Sequence, residues 1–222
     1  RVQSLDNAFS IDTLKTGDTI TSHQQLVIGN GQDFFFPLSM GTVAHELCHN
    51  VTSNHSNMVY AEQSGGMNEA FSDMCELTLY QYIRDQGYTW YWDGSSYNIG
   101  RNEAQSGNPL RYFNLPELDG NSIGSANDYN DSLDVHYSSG VYNKAFYLLA
   151  STYGLGIQKT FQYMGNANYN YWVPFNTFAY GACGVIQSAY DAKADHTQII
   201  KAFKDVDVEC KLFKLEKQIL KH

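Results

Sequence analysis

The spacing of apolar residues predicts a mainly helical chain with a short, β-rich start. Val43, Leu47 and Val51 fall at i, i+4 and i+8 and predict a helix over 42–54. A second helix is expected over about 67–84, where the apolar Met67, Ala70, Phe71 and Met74 surround Glu69 and Asp73. Val141, Ala145, Leu148 and Leu149 mark a third over about 139–153, and further helices are expected near 156–164, 176–191 and 195–205. Ahead of the first helix, Gln25-Leu26-Val27-Ile28 reads as a strand, Gly29-Asn30-Gly31 as a turn and Phe34-Phe35-Phe36-Pro37-Leu38 as an apolar run. Gly65 and Gly66 are expected to close the loop before the second helix. Residues 85–130 are rich in Gly, Asn, Ser and Asp, and so long an irregular stretch inside a compact chain is usually functional. Residues 211–222 form a Lys-rich amphipathic tail.

Composition narrows the classes. The 222 residues suffice for one large domain or two small ones, and 43% are hydrophobic, enough for a sizeable core. Only 17% are charged, while Tyr (17) and Phe (12) are abundant, a mix that resembles many secreted enzymes. The net charge is −9 and no basic block offers a partner for nucleic acid or an anionic membrane. No apolar run approaches the ~18 residues of a membrane-spanning helix. The chain begins at Arg1 without a signal peptide, as a cytosolic or an already processed protein would. Cys48, Cys75, Cys183 and Cys210 form no Cys-x-x-Cys pair, which argues against a cysteine zinc knuckle; their even number is compatible with disulfides.

The chemistry concentrates in His45-Glu46-Leu47-Cys48-His49. On a helix, residues four apart project from one face, so His45 and His49 can bind one Zn²⁺ through neutral imidazoles. Glu46 beside them can take a proton from a metal-bound water. The pentapeptide alone is a weak signal, since an exposed His/Glu face is the bland alternative. Glu69 and Asp73 are also four apart on one face, and their apolar neighbours fit a buried role better than a solvated one. A helix that carries metal ligands on one side and Val43, Leu47 and Val51 nearly opposite should lie between two layers.

Together these residues resemble the thermolysin-like zinc metallopeptidases, most closely the pseudolysin and vibriolysin (bacterial elastase) branch, over roughly residues 26–210. Glu69, in Gly-Gly-Met-Asn-Glu-Ala-Phe-Ser-Asp twenty residues after His49, matches the family's third zinc ligand, and Asp73 the acid that holds the first histidine. Tyr60, nine residues before Glu69, matches a tyrosine that stabilises the transition state. Asp131 and His136, ahead of Ser-Ser-Gly-Val-Tyr-Asn-Lys-Ala, match an Asp-His pair in which the acid orients the imidazole. Arg111 matches the arginine that binds the substrate carbonyl; Leu38, Ile99 and Leu110 fall where the family lines its S1′ pocket. Asn7-Ala8-Phe9 resembles the edge strand that pairs with substrate backbone, so Asn7 and Ala8 are expected to bind substrate. The resemblance implies one catalytic zinc, with Glu46, His136, Tyr60 and Asp131 as the catalytic groups.

The implied fold is α+β: a mainly helical C-terminal domain around the zinc helix, with a short, incomplete β-rich part before it. That divides the chain into a remnant of the N-terminal domain over 1–40, the zinc-binding and helical part over 41–210, and the tail over 211–222. The implied function is a secreted zinc endopeptidase that favours an apolar P1′ side chain and acts through a zinc-activated water. The alternative is a degenerate fold that binds zinc and serves as a binding module. Protein or peptide substrates are the expected partners, a propeptide is a further candidate, and the chain is expected to be monomeric. Because few residues precede the zinc helix, its apolar side is expected to face solvent. The branch's calcium acids are missing, with Gly41, Ser96 and Leu77 in their places, so calcium binding is doubtful. The context Gly-Ala-Cys-Gly-Val-Ile resembles the branch's C-terminal disulfide and implies a Cys183–Cys210 bond. Cys48 and Cys75, small and on mainly apolar stretches, are expected free and buried, with a bond between them as the alternative.

Overall fold

The computed structural model describes residues 7–16, 19–29, 31, 39–88, 97–100 and 106–211. A hairpin comes first: β1 (Ala8–Thr16) pairs antiparallel with β2 (Thr19–Ile28), Ala8 opposite Ile28 and Thr13 opposite His23, with the register shifting between Leu14 and Lys15. The strand expected at 25–28 is the end of β2, and the residues between it and Phe9 complete the hairpin. Helix α1 (Met40–Asn54) follows, its first turn capped by the Ser39 hydroxyl, which accepts from the Thr42 amide at 2.9 Å.

Helix α2 spans Glu62–Asp85 and is buried over most of its length. It starts five residues before the expected position, so Gly65 and Gly66 lie inside it. The reason is close approach. A Cβ on Gly66 would sit 2.3 Å from the Ser138 hydroxyl, and one on Gly65 2.4 Å from a Val135 methyl. The two glycines let the short helix α3 (Val135–Ser138) lie directly on α2. Between these helices, two residues of β3 (Asn98–Ile99) pair antiparallel with β4 (Arg111–Tyr112).

The C-terminal half is helical, as its apolar spacing predicts. Helix α4 (Gly140–Tyr147) continues through a π turn over Leu148–Thr152; α5 (Ile157–Asn170), α6 (Phe178–Asp191) and α7 (Thr197–Lys204) follow. Tyr142, Phe146, Met164, Ile186 and Phe203 pack with Met67, Met74 and Leu77 of α2 into one core, all but sealed from solvent. The Cys183–Cys210 disulfide is present, with Cα atoms 5.1 Å apart, and ties α6 to the segment after α7. Cys48 and Cys75 are also bonded, Cα to Cα 6.5 Å, where free thiols were expected. Apolar surroundings do not distinguish a buried thiol from a bonded one; the approach of α1 to α2 decides it, and spacing along the chain does not encode that approach. Leu38, Phe34–Phe36, Ser96 and the tail from 212 onward lie outside the described residues.

Candidate metal centre and substrate cleft

Helix α1 presents His45 and His49 to one point, and α2 presents Glu69 to the same point. One nitrogen from each imidazole and one carboxylate oxygen lie within 4.8 Å of one another. His45 Nε2 is 3.1 Å from His49 Nε2 and 3.4 Å from Glu69 Oε2, and His49 Nε2 is 3.3 Å from Glu69 Oε1. The other nitrogen of each ring is engaged. His45 Nδ1 meets Asp73 Oδ1 at 3.1 Å, and His49 Nδ1 meets Asn68 Oδ1 at 2.8 Å. With both Nδ1–H groups donating outward, the two Nε2 lone pairs face each other. Glu69 is 1% exposed and its Oε2 accepts no hydrogen bond.

Three electron-pair donors converging without donors among them is the arrangement a cation relieves. Tetrahedral zinc with bonds of about 2.0–2.1 Å sets its ligands about 3.3 Å apart, close to the 3.1 Å between the imidazole nitrogens and to the 3.3 and 3.4 Å from them to the two Glu69 oxygens. The residues present therefore fit zinc. A proton can take the same place. Burial alone would lower the His45 pKa, but the Asp73 and Glu69 carboxylates beside it raise it to about 10. Burial would likewise raise Glu69, yet its contacts with His45 and His49 hold it well below the usual carboxylate range.

Asp73 anchors this assembly. It is fully buried and receives four donors: His45, Arg111 Nε at 2.8 Å, an Arg111 terminal nitrogen at 2.5 Å and Asn143 Nδ2 at 2.8 Å. Burial alone would raise its pKa; the Arg111 guanidinium and His45 bring it down to about 2. Arg111 thus holds Asp73 bidentately and stands 3.9 Å from Glu69. The β3–β4 ladder places it: Ile99 pairs with Arg111, and the Leu110 amide donates to the Ile99 carbonyl at 2.7 Å, so Ile99, Leu110 and Arg111 share one wall.

Tyr60 and His136 stand on the open side. The Tyr60 hydroxyl donates to Glu69 Oε1 and lies 3.3 Å from His136 Nε2, which is 3.6 Å from Glu69 Oε2. Burial and the Glu69 carboxylate push the Tyr60 pKa upward, so the phenol keeps its proton for donation. The acid that orients His136 is Asp134, a correction to the expected Asp131. Asp134 Oδ1 accepts from His136 Nδ1 at 2.7 Å and from the His136 amide at 2.9 Å. Asp134 is the N-cap of α3, two residues before the histidine, whereas Asp131 is exposed. Glu46 is 7% exposed and lines the same cleft.

The cleft has a volume of about 700 Å³. The three ligands, Glu46, Tyr60, Arg111 and His136 line it, Ile99 and Leu110 wall one side, and Asn7 to Ser10 at the start of β1 form another. The Ser10 hydroxyl fixes the hairpin to α1, donating to Asn50 Oδ1 at 2.6 Å. Of the substrate-binding residues expected from sequence, Asn7, Ala8, Ile99, Leu110 and Arg111 come together here, while Leu38 is not among the described residues. Sequence reasoning did not identify Asn68, Asn143 or Asp134. Asn68 adjoins Glu69 and Asp134 precedes His136 by two, so local spacing could have offered both; nothing local points to Asn143.

Fold and side-chain geometry define a candidate metal site of the His-Glu-x-x-His plus Glu type, carried on two packed helices and open to a cleft. The chain belongs to the thermolysin metallopeptidase family, whose α-helical domain matches residues 56–208. It is 39% identical over 184 residues to a hemagglutinin/proteinase of Vibrio cholerae, and 40% identical over 185 residues to a neutral protease of Vibrio proteolyticus. Each match covers 82% of this chain and 29% of the relative, so the chain spans under a third of these proteins' length. A solved structure, the precursor of protealysin, a metalloproteinase from Serratia proteamaculans, resembles it with a TM-score of 0.72 at 25% identity. That match covers 83% of this chain and 63% of the other.

Proposed function

We propose that this chain carries the catalytic site of a secreted zinc endopeptidase, with Glu46 as the proton-transfer group. The observation that carries the reading is the convergence of His45, His49 and the buried Glu69 Oε2, which accepts no hydrogen bond, beside Glu46 in an open cleft. Zinc bound by these ligands would polarise a substrate carbonyl and lower the pKa of water. Glu46 takes a proton from the attacking water and delivers it to the leaving amine. Tyr60 Oη and His136 Nε2 donate to the oxyanion as the tetrahedral centre forms. Asp134 keeps the His136 ring turned so that Nε2 faces the cleft.

Substrate lies along β1. Its outer edge has no partner strand among the described residues, and an extended peptide adds to such an edge through main-chain hydrogen bonds. Ile99 and Leu110 then offer the P1′ side chain an apolar wall, supporting a preference for an apolar residue. Two disulfides support an oxidising, extracellular setting, and no described helix is long and apolar enough to cross a membrane. Calcium of the family's usual kind binds weakly on this reading. Leu77 is buried in the core, and Gly41 lies under the Tyr80 hydroxyl, which accepts from its amide at 3.1 Å; neither position offers a carboxylate.

The second reading, a zinc-binding module with little turnover, is favoured by the bare outer side of α1, where Leu47 and Val51 are 49% and 41% exposed. One experiment separates the two. Zinc-loaded chain should hydrolyse casein, lose that activity to a chelator and regain it with zinc. Glu46→Gln should keep its zinc and lose at least about a hundredfold in kcat. Stoichiometric zinc with no casein hydrolysis would favour the binding module; unchanged hydrolysis by Glu46→Gln would remove the mechanism.

A further inference from the structure

Helix α1 is amphipathic in the reverse sense. Two of its large apolar residues, Leu47 and Val51, are exposed, and the other two, Met40 and Val43, are half-buried without joining the main core. The buried positions of the helix are Gly41, His45, Glu46, Asn50 and Thr52, small or polar and none of them a large apolar side chain. Of the whole helix, only Cys48 touches the hydrophobic core, and it does so partly buried. Apolar burial, the usual force that docks a helix, is therefore nearly absent from the element that supplies two of the three ligands.

Point attachments take its place. Gly41 meets Tyr80, and a Cβ there would lie 2.3 Å from the phenol oxygen, so the helix backbone comes as close as a side chain allows. Thr52 Oγ1 accepts from Asn168 Nδ2 at 3.0 Å, and His45 and His49 bond to Asp73 and Asn68. The one covalent attachment is Cys48–Cys75. Cys48 adjoins the ligand His49. Cys75 lies on α2 two residues beyond Asp73 and six beyond Glu69.

We propose that the Cys48–Cys75 disulfide is a positioning element of the metal site: it fixes the separation of the two ligand-bearing helices that hydrophobic packing leaves weakly defined. The proposal rests on the zinc reading above. It also separates the two disulfides by role. Both close loops of 27 residues, so chain entropy gives them equal weight in stabilising the fold. Cys183–Cys210 joins α6 to the segment after α7, neither of which supplies a metal ligand. Only Cys48–Cys75 should affect the metal beyond its effect on stability.

The test compares Cys48→Ala/Cys75→Ala with Cys183→Ala/Cys210→Ala in the full chain. Zinc affinity is measured by competition with a chromophoric chelator, and the thermal midpoint without metal. Removing Cys48–Cys75 should weaken zinc at least tenfold, within the range seen when groups that orient ligands are lost. Removing Cys183–Cys210 should lower the midpoint by a similar amount and change zinc affinity less than twofold. Equal zinc affinity in the two variants would overturn the proposal while leaving the zinc reading intact; a wild-type chain that binds no zinc would overturn both. Should the first variant fail to fold, hydrogen exchange decides. In zinc-free Cys183→Ala/Cys210→Ala, a dithiol reduces the one remaining bond. Faster exchange in α1 with α2 still protected supports the proposal, and simultaneous loss of protection in both helices contradicts it.

Discussion

Helices α1 and α2 meet at one candidate metal centre but are held in place by opposite means. Glu69 and Asp73 of α2 are set in a helix whose Met67, Ala70, Phe71, Met74 and Leu77 are buried in the core, so their backbone is fixed on every side by close packing. His45 and His49 of α1 stand on a helix that shares almost none of that core. It is held by a disulfide, by single hydrogen bonds and by the ligands' own partners. The difference teaches that burial of a side chain in the site and burial of its helix are separate matters. His45 and Glu46, which line the cleft, are 9% and 7% exposed, while Leu47 between Glu46 and Cys48 is 49% exposed. It also locates the weak point of the site: local opening should begin where buried apolar contacts are fewest, in α1.

The largest effect should come from breaking the α2 side. Phe71 is 3% exposed, stacks on Phe161 at 5.6 Å between centroids and meets Trp172 edge-on at 6.0 Å. Phe71→Ala is expected to cost about 3–5 kcal/mol in chemical denaturation. Next is the polar anchor of α1. Asn168 donates to Thr52 and accepts from the Ser56 hydroxyl at 2.6 Å, all three buried, so Asn168→Ala leaves two unpaired groups and should cost about 1–3 kcal/mol. Zinc affinity should fall with it more than it does for Phe71→Ala at equal loss of stability. Asp134→Asn should lower kcat on the order of tenfold, less than a buried orienting acid would because the pair is exposed. Asp131→Asn should leave kcat unchanged, and the reverse order would restore Asp131 as the orienting acid. The smallest effect is expected at Leu47→Ser, within about 0.5 kcal/mol by thermal melt, since a side chain already in water loses little. A loss of 2 kcal/mol or more there would show that the outer side of α1 is covered.

Sequence reading picked out the three side chains that converge, His45, His49 and Glu69, because their spacing is local. His45 and His49 need only one helical turn between them, and Glu69 and Asp73 need one more on the next helix, so spacing alone brings each pair to a face. The helices of the C-terminal half were equally legible from their apolar period. The partner of His136 was not, because Asp131 and Asp134 both precede it and only the capping geometry of α3 selects between them. Nor was the start of α2. Gly65 and Gly66 look like loop residues until α3 is seen resting on them. The docking of α1 was the most hidden. The spacing of Val43, Leu47 and Val51 gives a correct helix and places them opposite the ligands, but says nothing about whether that side meets protein or water. The buried positions Gly41, His45, Glu46, Asn50 and Thr52 are small or polar, and hydrophobic patterning does not register them. Asn143, seventy residues from the Asp73 it supports, had no local signal.

The number of zinc ions held by the folded 222-residue chain decides whether the two helices form one metal centre. After dialysis against zinc and then buffer, elemental analysis should find one zinc per wild-type chain. Glu69→Ala, folded by circular dichroism, should retain less than about a tenth of that. A folded wild-type chain without zinc, or equal zinc in Glu69→Ala, would contradict a site built from His45, His49 and Glu69.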